Sequence, residues 1–158
     1  MNYFPTPCLD FTFITLLLGF ITYYIKNNQI LNISTISILI AVCIMGNILS
    51  FSYTKTVADY YKTTTKTTHV VNVVTHIIIP IYLINVISKN TDFNLNTKQL
   101  ISIVIFTHVF MYSYYILLCL GFVSGYGLPS LTVFNFFALG TSFIVLIVLY
   151  LITSYINY

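Results

Sequence analysis

The sequence predicts an all-α fold, a polytopic membrane helix bundle of about five transmembrane helices, and three observations carry that prediction. Of the 158 residues, 58% are hydrophobic and only 6% charged, which is more apolar surface than a soluble domain of this size can hide. That surface falls in five long stretches, and the segments between them hold every lysine. Runs such as Ile144 to Ile152 are apolar on every side, whereas the strands of a membrane barrel alternate apolar and polar residues.

A helix crosses a hydrocarbon core of about 30 Å with about 20 mostly apolar residues. The first predicted span covers residues 9–25. Its apolar run from Phe11 to Ile25 is short, so it reaches spanning length only with the residues from Pro7 onward, and Asp10 then caps the helix at one interface. Four spans with a half-buried first helix is the alternative reading. The second span covers 31–51 and carries Ser37, Ala41 and Gly46, small residues that let helices approach closely. The third covers 70–88 and includes Pro80, a predicted kink. The fourth covers 100–123, and the fifth, 131–156, carries a second small-residue seam at Ala138, Gly140 and Ser142. Tyr23, Tyr24, Tyr53, Tyr155 and Tyr158 at segment ends supply an aromatic belt. All of this reads as one domain, 1–158.

Several function classes drop out. Cys8, Cys43 and Cys119 are odd in number and far apart, which is no disulfide framework or metal knuckle. The net charge of +3 is spread over the loops and forms no basic patch for nucleic acid. Lys55, Lys62 and Lys66 balance Lys26, Lys89 and Lys98 across the predicted membrane, so charge does not orient the chain. No basic residue precedes Phe11, which predicts insertion without a cleaved address. No span interior carries Lys, Arg or Glu, and this disfavours a proton-pumping core. The string Ser124-Gly125-Tyr126-Gly127 echoes a potassium filter, but a glycine turn closed by Pro129 is ordinary loop chemistry.

Chemistry concentrates in the third span. His69, Asn72 and His76 are spaced by three and four, which puts them on one helical face, and His108 lies inside the fourth span. Two readings stand. His76 and His108 on facing helices could ligate a haem b iron; alternatively, the histidines hydrogen-bond between helices, with His69 at the interface. A predicted loop from Thr54 to Thr68, TKTVADYYKTTTKTT, joins the second and third spans.

The chain has no arginine and no tryptophan and is rich in Ile, Tyr, Phe, Asn, Thr and Lys, the residues of A/T-rich codons. With its five stretches, it resembles the hydrophobic respiratory-complex subunits encoded by A/T-rich mitochondrial genomes such as those of ciliates. That resemblance implies a non-catalytic or accessory subunit in the mitochondrial inner membrane, of a respiratory-chain complex or of the ATP synthase, with other membrane subunits and lipids as partners. The pair Asp59-Tyr60, just beyond the second span, is similar to the Asp-Tyr pair of the small membrane anchor of succinate dehydrogenase. This second resemblance implies a ubiquinone contact at Tyr60 beside Asp59, and haem b at His76 or His108. The chain departs from that family in its number of spans and in having Leu49 near the place of the anchor's haem-ligating histidine. A small viral or organellar channel or carrier is the reading from another class.

Overall fold

The computed structural model describes residues 11–25, 28–120, 122 and 140–156. Among the described residues the chain is helical and has no strands. Helix α1 is Phe11–Ile25, α2 is Gln29–Ser52, α3 is Thr54–Tyr60, α4 is Thr65–Ser88, α5 is Thr97–Cys119 and α6 is Thr141–Ile156. Three of them, α2, α4 and α5, are long and apolar enough to cross a membrane, with 24, 24 and 23 residues. Helices α1 and α6 show 15 and 16 residues. Positions 9–10 and 131–139 of the predicted first and fifth spans, and the Ser124–Gly127 string, lie outside the described residues.

Polar caps set the helix starts, and they lie ahead of the apolar stretches. The Asn28 side chain accepts from the Leu31 N–H and opens α2. Thr64 accepts from the Thr67 N–H, so α4 begins five residues before Val70. Asn96 and Gln99 form a reciprocal capping box that starts α5 at Thr97. The predicted loop 54–68 is therefore corrected: Thr54–Tyr60 is helix, Thr65 already belongs to α4, and only 61–64 connect them. Helix α3 ends in a paired C-cap, in which Thr63 N–H bonds the Ala58 carbonyl and Lys62 N–H that of Asp59, with Lys62 left-handed at φ 53°.

Helix α2 is the hub. Its most apolar window is 67% buried, against 22% for α4 and α5, because α1, α4, α5 and α6 all pack on it. Each side of α2 meets different neighbours. Ile38 and Val42 join Phe11 of α1 with Met111 and Tyr114 of α5. Ile36 and Leu39 join Leu16 of α1 with Leu83 and Ile87 of α4. Ile33 and Ala41 join Ile103 of α5 with Val145 and Leu149 of α6.

Polarity runs inward. Asn32, Ser34, Thr35 and Ser37 are all buried on α2, while Leu17, Ile81, Ile105 and Leu151 are more than half exposed or close to it on the outer helices. Thr22 of α1 and Thr35 of α2 share a hydrogen bond of 2.9 Å between helices. The connection from Lys89 to Asn96 is clamped to the start of α2. There the Gln29 amide donates to the Asp92 and Asn94 carbonyls at 2.7 and 2.9 Å, and Gln99 donates to Gln29 at 2.7 Å.

Candidate functional site

Two π-helical turns, one in α2 and one in α4, meet in the bundle interior, and His76 lies between them. The turn in α4 spans Val74–Ile78 and closes with Ile79 N–H on the Val74 carbonyl, five residues back. Pro80 explains its place. Proline has no N–H for the carbonyl four residues earlier, and its ring crowds that carbonyl, which here belongs to His76. The wider turn accommodates the break.

The turn in α2 spans Val42–Gly46 and is repaired by a side chain. Asn47 sends its backbone N–H to the Ile44 carbonyl, and its side-chain amide donates to the Cys43 carbonyl at 2.5 Å. The group that a regular helix would serve through the Asn47 backbone is thus served by the Asn47 side chain.

Between these turns the His76 ring is held on two sides. Its Nε2 shares a hydrogen bond of 2.8 Å with Thr12 Oγ1 on α1. Gly46 lies so near that a Cβ there would stand 2.6 Å from His76 Cδ2 and 3.0 Å from Nε2. Only 6% of His76 is exposed. Its Nδ1 is buried without a hydrogen-bond partner in the structure. Asn72 Nδ2 and Asn47 Oδ1 are likewise buried without a hydrogen-bond partner in the structure. The pairs Gly46–His76 and Phe51–His69, the latter with ring centroids 5.8 Å apart, run α2 and α4 antiparallel. Ser50 and Asn72, both buried, fall between those two levels.

The structure does not bring the predicted site residues together. His76 turns toward α1 and α2, whereas His108 lies on α5, which packs on α2 and α6. His108 Nδ1 bonds the Val104 carbonyl of its own helix at 2.8 Å. On His76, Thr12 shares Nε2 and Gly46 lies against the ring. Asp59 and Tyr60 lie at the end of α3, Asp59 exposed and Tyr60 half-buried with its ring 5.1 Å from that of Tyr61. His76 sits 11 residues into α4 from Thr65, a rise of about 16 Å, so the Asp59-Tyr60 pair and His76 belong to different levels of the bundle. His69 is exposed at the start of α4.

Thr12, which bonds His76, and Asn47, which repairs the turn in α2, carry no sequence signal; Thr12 is 64 residues from its partner. The spacing of His76 and Pro80 is the one local cue, because a proline disturbs the carbonyl four residues before it. What the arrangement does chemically is structural: it ties three helices to one buried imidazole. Compared with known proteins, the chain matches no family model, no curated protein and no solved structure.

Proposed function

We propose that the chain is a multi-pass membrane protein and serves as an accessory, non-catalytic subunit of a larger membrane assembly. The observation that carries this reading is the inward polarity of the bundle. Twelve polar side chains, His76, Asn72 and Asn32 among them, are buried among the described residues, and the outer faces of α1, α4, α5 and α6 display Phe, Ile, Leu, Val and Tyr. Water favours the reverse, since exposed apolar surface of that extent costs about 25 cal/mol per Å². Hydrocarbon favours this arrangement, because polar groups must then find partners inside the protein.

Two further points support a subunit over a free-standing enzyme. Among the described residues the connections 61–64 and 89–96 are short, so soluble ligands and proteins find little to hold there. Among the described residues the buried polar side chains serve packing: Thr12–His76 and Thr22–Thr35 bond between helices, and Thr15, Ser37 and Thr107 bond carbonyls of their own helix. The compositional resemblance described above supports the mitochondrial inner membrane and a respiratory-chain complex as the setting.

The test is native electrophoresis of source membranes in mild detergent, with mass spectrometry to locate the chain and in-gel activity stains. Resistance of the chain to alkaline carbonate extraction and migration in a large band with respiratory activity is the expected result. A succinate-active band would single out the succinate dehydrogenase anchor. Extraction by carbonate, or a small homogeneous band, would remove the reading.

A further inference from the structure

His108 lies midway along α5, on a face that no other described helix covers completely. Its Nδ1 is 2.8 Å from the Val104 carbonyl oxygen. A carbonyl only accepts, so Nδ1 donates this hydrogen bond, and in that tautomer Nε2 is an acceptor. No second hydrogen bond to His108 exists among the described residues, and its nearest ring neighbour is Tyr112, with centroids 6.4 Å apart.

The surroundings of this acceptor have the pattern of a helix-docking seam. Ile101, Ile105, His108 and Tyr112 recur at alternating steps of four and three, the spacing of a stripe that a second helix can follow. Ile101, Ile105 and Tyr112 are 54%, 57% and 46% exposed. A shallow apolar groove of about 340 Å³, which includes Leu100 and Val104, extends the seam toward the start of α5. An acceptor halfway across hydrocarbon is costly until something donates to it, and acyl chains have no donor. A second copy of the chain, packed parallel and in register, would set two Nε2 acceptors face to face.

We infer that this face of α5 is the docking seam for a transmembrane helix of a different subunit, which donates a hydroxyl or amide hydrogen to His108 Nε2. The inference rests on the subunit reading above and names where the assembly contact lies.

The test uses the full chain in its source membranes, with a photoreactive side chain at Tyr112 and, as control, at Tyr82 on the exposed face of α4. The expected result is a cross-link from position 112 to one defined subunit of the purified assembly. His108→Leu should lower retention in the large band about three- to fifteen-fold, the range for one interhelical hydrogen bond in a membrane. His108→Gln, which keeps an acceptor, should restore most of it. Unfolding of the isolated His108→Leu chain in detergent should match the wild type, since the bond lost is within α5 itself; this separates docking from folding. Lipid adducts alone, a cross-link between two copies, or equal retention of wild type and His108→Leu would overturn the inference. So would a Soret band abolished by His108→Leu, which would make His108 an iron ligand. If the wild-type chain migrates alone, the subunit reading fails first and this inference with it.

Discussion

Gly46 of α2 lies against the imidazole of His76 on α4, close enough that a Cβ on the glycine would fall 2.6 Å from His76 Cδ2. The ring has little freedom to retreat, because Thr12 on α1 shares its Nε2 at 2.8 Å. Three helices therefore depend on one buried side chain and on the absence of another.

The first prediction concerns that absence. Gly46→Ala places a methyl group inside the contact distance of a fixed ring and should destabilise the chain by about 1–3 kcal/mol. Gly140→Ala is the comparison, because its Cβ would meet the flexible end of the Met45 side chain, which can swing aside. Chemical unfolding of both variants in one detergent checks the order. Equal losses would show that His76 is free to move.

The Thr12–His76 hydrogen bond should appear as a coupling energy. Thr12 makes a further interaction, so Thr12→Val alone reports more than its bond to His76. A double-mutant cycle of Thr12→Val with His76→Phe isolates the pair, with an expected coupling of about 0.6–1.7 kcal/mol. Strict additivity of the two losses would mean that the bond contributes nothing to stability.

How far these relationships are legible in the sequence depends on their range. Long apolar runs announce α2, α4 and α5, because a stretch that covers a bilayer can be recognised without knowing its neighbours. Their starts are hidden, since Asn28, Thr64 and Asn96 are polar and a hydropathy reading stops short of them. Helix α3 escapes for a related reason: in TKTVADY only Val57 and Ala58 are buried, too few to show a period. Pro80 signals a kink, yet not that the break sets His76 against Gly46 and Thr12, since those partners come from other helices. The small residues of the second span mark a seam, and Ser37, Ala41 and Gly46 are indeed buried. Asn32-Ile33-Ser34 matches a glycosylation acceptor, and its burial in α2 disposes of that match.

Pro80→Ala should repair the helix at the expense of the site. Alanine restores an N–H for the His76 carbonyl and removes the ring that crowds it. If the π-helical turn at Val74–Ile78 then relaxes to a regular α-helix, the part of α4 before it rotates by about 100° relative to the part after it. His76 would leave Thr12, so the coupling measured in the cycle above should vanish in the Pro80→Ala background. Persistence of the full coupling there would show that the turn does not depend on the proline.

Lys62 offers a prediction at the end of the bundle, away from His76. It occupies the left-handed position after α3 with φ 53°, where its Thr63 and Lys62 N–H groups close the helix onto the Ala58 and Asp59 carbonyls. A side chain with a Cβ is strained in that conformation, and glycine is not. Lys62→Gly should therefore stabilise the chain by about 1 kcal/mol, and Lys62→Val, whose branched Cβ resists positive φ, should destabilise it by a similar amount. Unfolding midpoints of the two variants in the same micelle check the sign of each effect. A loss with glycine would mean that contacts of the lysine side chain outweigh the strain of its backbone.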